Sequence, residues 1–286
     1  MFDDCSALIL SLFLSFSLSG YMMLNSNKKF HYLIKIIETN HRYINRIQVS
    51  QSYIEDVVLN TGIDSDKVYK IPISIDIKKF PFIEGKDKIN LRRELNIPET
   101  SFLIGSFQKD GNGWGRGDEP KLIKGPDIFC KVIIELSKKF NIHVLLTGPS
   151  RGYVKKHLDD NNISYTHKFL KNYNELPEFY SMIDLYLMTA REEGGPKSII
   201  ECMSMKIPFV ATKVGIVEEI SNFSKNDIFC EIEDTKSIIF KSINILKNLN
   251  NFNLNINYDI IQNHDFDFIA KKYMNIYSKL NNQTSN

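Results

Sequence analysis

Residues 184–201 read DLYLMTAREEGGPKSIIE. The first six form an apolar run of strand length, the middle carries two glycines and two adjacent glutamates, and Pro196 stands where a helix begins, since proline is pre-set for the first helical position. Strand, glycine loop and helix start are the repeating unit of a parallel sheet. Upstream, FLIGSF at 102–107 is strand-like, and after Gly125-Pro126 the apolar residues Ile128, Phe129, Val132, Ile133 and Leu136 recur at helical spacing. IHVLLT at 142–147 is the next strand, followed by a helix near 153–160, a strand near 165–169 and a helix at 175–182. Downstream come a helix from Pro196, PFVAT at 208–212, a short helix at 217–221, IFC at 228–230 and a helix after Asp234. The alternation predicts an α/β fold, a doubly wound parallel sheet over residues 84–250 with both faces covered. Ligands then bind at the carboxyl ends of the strands, in the loops after Phe107, Thr147, Phe169 and Thr189.

Composition narrows the classes. Of 286 residues, 43% are hydrophobic and 24% charged, with 14 Gly and 9 Pro, which supports a core and excludes collagen-like or disordered chains. Lys plus Arg (36) nearly balance Asp plus Glu (34), so no broad basic surface exists for nucleic acid and any anion site is local. The four cysteines, Cys5, Cys130, Cys202 and Cys230, form no C-x-x-C pair, which argues against a zinc site or disulfide framework and suits the cytosol.

Residues 5–24 carry no charge and are long enough to span a bilayer as a helix. Asp3 and Asp4 precede them and Lys28 and Lys29 follow, so the stretch fits a membrane helix with its carboxyl side in the cytosol better than a secretory signal. The other reading is a buried helix of a larger domain. Residues 1–27 are therefore set apart as an apolar segment and candidate membrane helix. Residues 28–83, with a helix to about Ile44, a strand-like run at 46–50, a helix at 51–60 closed by Thr61-Gly62 and a strand at 68–75, are expected to form a partial amino-terminal domain and linker. Residues 84–93 read as a charged connector, and 251–286 as a carboxyl-terminal helix and tail.

The chemistry gathers in the 184–201 stretch. Gly194 and Gly195 let a backbone approach a ligand, Pro196 opens the helix, and the amides of Lys197 and Ser198 point at an anion. Glu193 and Glu201 flank that helix tip and suit hydroxyl groups on either side of a phosphate. GNGWGRG at 111–117 is expected to be a mobile loop, not a phosphate loop, because no helix opens directly after it. Asp265-Phe266-Asp267 spells D-x-D, but it immediately precedes an amphipathic pattern and reads as a helix cap. No metal is expected. His143 lies in an apolar strand as a core residue, and His167 sits beside the next strand's end.

Together with IPISID at 71–76, PKLIKGPDIF at 120–129, LLTGPSRGY at 145–153 and VATKVG at 210–215, these residues resemble a family 4 glycosyltransferase (glycosyl transferases group 1) of the two-domain GT-B fold. The resemblance covers about residues 45–282. It implies that residues 84–250 are the Rossmann-like half that binds a nucleotide-diphosphate sugar as co-substrate, with no cofactor or metal. It implies that Glu193 contacts the sugar hydroxyls, that Glu201 contacts the ribose, and that Lys124 and a basic residue after the first strand neutralise the diphosphate. Lys109 is the choice for the latter, with Arg116 as the alternative closing over the donor beside Trp114; Phe169 completes the donor side. Glu193 then positions and supports the donor sugar, and transfer retains the anomeric configuration. The expected partners are a nucleotide-sugar donor and a glycan or lipid acceptor, at the cytosolic face of a membrane in cell-envelope glycan synthesis, and no nucleic acid. The short front leaves three accounts open: a membrane-linked enzyme, a truncated one, or a subunit that binds the nucleotide sugar without transferring it.

Overall fold

The computed structural model describes residues 28–82, 86–222, 227–254 and 258–283. The segment 5–24, and Cys5 with it, lies outside them. Among the described residues no helix is long and apolar enough to cross a membrane.

The chain opens with α1 (Lys28–Asn40), β1 (Ile47–Val49), α2 (Ser52–Leu59) and β2 (Val68–Lys70). β1 and β2 pair in parallel, and Ile37, Ile44, Ile47, Val49, Ile54, Val58 and Ile63 form a small core of their own. The strand expected over 68–75 stops at Lys70. Pro72 has no amide to donate and interrupts the ladder, and the extended chain pairs again only at Ile75, which bridges to Asp265.

Next come α3 (Lys86–Glu94), β3 (Phe102–Phe107), α4 (Pro126–Ser137), β4 (Ile142–Thr147), α5 (Gly152–Asp160), β5 (Tyr165–Lys168), α6 (Leu176–Met182), β6 (Leu185–Met188), α7 (Lys197–Ser204), β7 (Phe209–Thr212), α8 (Ile216–Ser221), β8 (Phe229–Cys230) and α9 (Thr235–Lys247). The six strands β3 to β8 form one all-parallel sheet in the order β5-β4-β3-β6-β7-β8. The chain thus starts in the middle, winds out to β5, returns across β3 and winds out the other way, which puts the switch point between β3 and β6. β4, β6 and β7 are buried at every residue, as the sequence runs required. Each fully buried Leu, Val or Phe contributes about 1.5–3 kcal/mol, so this core dominates the stability. His143 belongs to it, with Nε2 2.9 Å from Thr166 Oγ1. Cys130, Cys202 and Cys230 are buried free thiols, and burial pushes Cys130 up to about 12.

Residues 84–93, read as a connector, prove to contain most of α3. The helix is polar almost throughout, so it lacks the apolar stripe by which a packed helix is recognised. It is held mainly by charge, with Leu91 packed on the core. Arg92, buried, donates to the Met182 carbonyl and to Asp184 Oδ2 at 2.8 Å, and Lys88 reaches Asp184 Oδ1 at 2.7 Å. Asp184 also accepts the Leu103 amide at 2.8 Å, so one carboxylate ties α3 to the starts of β3 and β6.

The last elements, α10 (Tyr258–Gln262) and α11 (Phe266–Gln283), return to the linker. Ile75 donates to the His264 carbonyl at 2.9 Å and Phe266 to the Ile75 carbonyl at 2.8 Å. The D-x-D carboxylates serve the same junction. Asp265 Oδ1 accepts the Ile77 amide at 3.4 Å, across to the linker, and Asp267 pairs with Lys78 at 2.7 Å.

Removing Asp184 strands a buried guanidinium. Asp184→Ala is expected to cost about 3–5 kcal/mol, the usual penalty for breaking a buried pair by deleting one partner, measured by urea denaturation. A loss below 1 kcal/mol would contradict this account of α3.

Candidate functional site

The loops at the switch point cross, and the crossing is tight. Gly125 adopts a left-handed φ of 64°, and a Cβ there would lie 1.8 Å from the Thr189 carbonyl oxygen. Thr189 Oγ1 donates to the Gly125 carbonyl at 2.8 Å. Two residues further on, the Arg191 amide donates to the Ile123 carbonyl at 2.8 Å. The Arg191 guanidinium grips Asp127 through two bonds of 2.8 and 2.9 Å, the Leu122 carbonyl at 2.6 Å and Glu233 at 2.6 Å. The one-turn helix 122–124 is thereby clamped to the loop after β6, and Lys124 Nζ meets Glu193 Oε1 in a half-buried ion pair. Sequence reasoning named both ends of this pair but missed Arg191, which stands in the same AREEGG string.

Two further lysines share this field. Lys121 is shifted downward by burial first and then by Lys124 and Lys109, with Glu193 opposing. Lys109 lies with Nζ 3.7 Å from the centroid of the exposed Trp114 ring. Lys121 thus lies in the field of both Lys124 and Lys109, and of these groups Lys124 makes the ion pair with Glu193. Arg116 is not among them: it is exposed, pairs with Asp118 at 3.2 Å and edges a separate crevice with Lys155 and His167. Its loop is pinned where a mobile one was expected. Asn112 donates to the Glu119 carbonyl, the first amides of α5 at Gly152 and Tyr153 donate to the carbonyls of Arg116 and Gly117, and Ser150 Oγ reaches the carbonyls of Gly113 and Gly115. The loop thus caps α5, and this gives its backbone polar groups partners that fix it. Beneath it, fully buried Arg151 lies 3.0 Å from Asp110 and donates to the carbonyls of Ser106, Gln108 and Thr147, tying the ends of β3 and β4.

Around the other loop, Gly194 is buried, and Gly195 packs against Ile73 so closely that a Cβ would come within 2.6 Å of the Ile73 side chain. The space read as room for a ligand is used at Gly195 by the linker. Pro196 precedes α7, with ψ at 100°, and does not occupy its first turn. Lys197 is exposed with Nζ 6.0 Å from the Tyr173 ring, and the Ser198 hydroxyl bonds Tyr186. Phe169 is exposed just past β5.

Glu201, on α7, is 2% exposed. Its Oε1 accepts the Tyr173 hydroxyl and its Oε2 accepts the Tyr180 hydroxyl at 2.7 Å. Burial raises the carboxyl above its ordinary 4.5, against the two tyrosines, which favour the charged form. Tyr173 was missed, although Asn172 and Glu175 form the capping box that fixes its backbone after β5, and that pattern is legible as N-x-x-E.

Beside Glu193 opens a cleft of about 180 Å³ lined from the front of the chain by Gln51, Tyr53 and Ile54 and from the sheet side by Glu193, Gly194 and Lys213. Among the described residues no cluster of three His, Cys, Asp or Glu suits a metal.

The family model described as Glycosyl transferases group 1 matches residues 115–248, the segment that carries the whole Lys124, Glu193 and Glu201 arrangement. The match covers just under half of the chain, and this segment is similar to that family. Among curated proteins, the O-antigen biosynthesis glycosyltransferase WclY of Escherichia coli is 25% identical over 68% of this chain and 51% of its own length. N-acetyl-alpha-D-glucosaminyl L-malate synthase of Bacillus anthracis is 22% identical over 57% of this chain and 40% of its own. The chain thus spans about half the length of these curated relatives. The crystal structure of Anabaena HepE in complex with UDP and glucose superposes with a TM-score of 0.70 at 16% identity, covering 86% of this chain and 66% of that one. The fold is GT-B.

Gly125→Ala is expected to lower the melting temperature by at least about 3 °C, since the left-handed conformation alone costs about 1–2 kcal/mol. Gly115→Ala, where a Cβ meets nothing within 4 Å, is the neutral comparison. An equal effect of the two would remove the crossing as a constraint.

Glu201 gives a pH signature. Because the folded carboxyl is raised above 4.5, its protonated form is favoured by folding, and stability falls as the pH climbs from 4.5 through the folded value. Melting temperatures across pH 4 to 8 should therefore decline more in the wild type than in Glu201→Gln; parallel profiles would contradict it.

Proposed function

We propose that the chain is the donor-binding half of a retaining glycosyltransferase, which moves a sugar from a nucleoside-diphosphate donor to a glycan or lipid acceptor. The observation that carries this is the Lys124 and Glu193 pair at the switch point, with Lys121 and Lys109 around it and α7 opening beside it. Fixed cations next to a helix amino end suit a diphosphate. The carboxylate among them suits the hydroxyls of the sugar carried on that diphosphate. Support comes from HepE, whose crystal structure holds UDP and glucose, and from WclY, an O-antigen glycosyltransferase.

In this reading the bond between the anomeric carbon and the diphosphate oxygen breaks with its electron pair moving to the diphosphate, while an acceptor hydroxyl oxygen bonds that carbon on the same face and passes its proton to the departing diphosphate oxygen. Lys124, Lys109 and the amides of Lys197 and Ser198 meet that charge where it develops, which is where fixed cations lower a barrier most. Lys121 lies in the same field, where burial and Lys124 lower its pKa and a bound diphosphate would favour its charged form. Glu193 holds the sugar and supports positive charge at the anomeric carbon. The ion pair with Lys124 fixes both side chains before the donor arrives, and pre-organisation of this kind removes reorganisation from the reaction step. Glu201 takes the ribose end. The acceptor enters by the cleft between Tyr53 and Glu193, which opens onto the donor sugar's position from the front of the chain. No cofactor or metal is needed for these steps.

Lys124→Ala should weaken binding of UDP or GDP by about tenfold to a hundredfold, the worth of one charge-assisted contact, while uridine or guanosine binding changes little. Calorimetry that found nucleoside and nucleoside diphosphate equally weakened would refute the diphosphate role. Transfer of labelled sugar from its nucleotide to membrane lipid or glycan extracts, with Glu193→Ala as the comparison, separates a transferase from a subunit that only binds.

A further inference from the structure

The two tyrosines on Glu201 are held very differently. Tyr180 is fully buried, its ring packed against Phe107 at 4.9 Å, Tyr186 at 5.6 Å and Phe80 at 6.2 Å between centroids. Its hydroxyl leaves Glu201 only if the core opens. Tyr173 is 43% exposed and stands on a single helical turn, residues 173–175, between β5 and α6. Phe80 meets its ring edge-on at 5.5 Å, and the Lys197 ammonium lies 6.0 Å from it. The capping box of Asn172 and Glu175 fixes the backbone of the turn, so a rotation about the Tyr173 side-chain bonds frees the hydroxyl without unfolding anything. A carboxylate that is 2% exposed, with one oxygen committed to the core, offers a ligand only the oxygen that Tyr173 covers.

A phenol hydroxyl and a ribose hydroxyl are the same kind of partner for a carboxylate: one neutral O–H donor. We propose that the Tyr173 hydroxyl occupies on Glu201 the place of a nucleoside ribose hydroxyl, and that donor binding exchanges one for the other. This rests on the donor-site reading above, and it adds a specificity-determining residue to it. The exchange makes the free chain carry its own competitor. A nucleotide with ribose hydroxyls replaces the bond it breaks, and a nucleotide without them leaves Tyr173 in place and gains nothing from Glu201. Discrimination for the ribose is thereby reduced by the strength of the Tyr173 bond, and the buried acid keeps a partner in both states, which avoids the cost of an unpaired buried carboxylate.

The test compares UDP and GDP with their 2′,3′-dideoxy forms on wild-type chain, Tyr173→Phe and Lys124→Ala, by calorimetry. Tyr173→Phe keeps the ring and its packing and removes the competing donor. The ribonucleotide that binds the wild type should bind Tyr173→Phe about tenfold tighter, one hydrogen bond's worth, and its dideoxy form should bind both alike. Ribonucleotide binding that weakens or stays unchanged in Tyr173→Phe overturns the proposal, as does an equal shift for both nucleotide forms. If Tyr173→Phe also binds ribo and dideoxy forms equally while Lys124→Ala still weakens both, the exchange at Glu201 is wrong and the diphosphate site stands. If neither UDP nor GDP binds the wild type, the donor-site reading fails and the exchange fails with it.

Discussion

The site depends on one close crossing of backbone. Gly125 and Thr189 come from loops that follow different strands, and they touch because β3 and β6 are neighbours across the switch point. A parallel sheet splays the loops at its carboxyl end wherever the winding reverses, leaving a crevice there. Here the crevice is drawn in by the crossing. The Thr189 hydroxyl, the Ile123 carbonyl and the fork of Arg191 on Asp127 all act over a few residues, and their joint effect is to set the Lys124 ammonium against Glu193. Gly125 also serves α4, whose first residue is Pro126 and which donates the Phe129 amide back to the Gly125 carbonyl. The turn that starts the helix is thus the turn that carries the lysine, and its position follows from the packing of α4 on the sheet.

Charge at the two ends of the sheet does opposite work. At the amino end, Asp184 binds Arg92, Lys88 and the Leu103 amide, and every group there is spent on holding α3. At the carboxyl end Arg151 is similarly spent. Burial lowers it and raises its partner Asp110, so neither gains from being inside except through the carbonyls and the charge they share. It is the lysines that are left with surplus. Lys121 feels both Lys124 and Lys109 while Glu193 is paired with Lys124, and a local excess of cation attracts an anion in a way that balanced pairs do not.

Much of the sheet was legible because buried parallel strands read as apolar runs, and β4, β6 and β7 have no other way to read. The unread elements share a cause. α3 is polar because its contacts are ionic and made with residues about 90 positions away, which no local pattern registers. β2 was overextended because IPISI is apolar whether or not it pairs; Ile71 and Ile75 are buried from an irregular path that meets Val49, Gly195 and His264. In the loop 111–117 the glycines were visible, but the α5 amides that its carbonyls cap were not. Lys124, Glu193 and Glu201 were read through the family pattern that surrounds them. Lys121, Arg191 and Tyr173 were not, because their significance is a matter of what stands opposite, and Gly195 was assigned to a ligand when its neighbour is Ile73.

Glu201 shows why such a site is costly to the fold. A carboxylate placed behind α7 must lose most of its water, and two phenol hydroxyls do not fully compensate, since its carboxyl remains raised. The same burial pushes the Tyr173 and Tyr180 hydroxyls up, with Glu201 contributing to both, so the phenols keep their protons and donate to the carboxyl. A glutamine would fit the space and relieve the charge, at the loss of a strong acceptor for hydroxyl groups. Holding a carboxyl in a nearly dry place makes each O–H donor that reaches it worth more than in water. In the proposed donor site the cations around Lys124 and the dehydrated acceptor Glu201 stand on either side of the start of α7, which suits a ligand that carries a negative centre and a hydroxyl at a fixed separation.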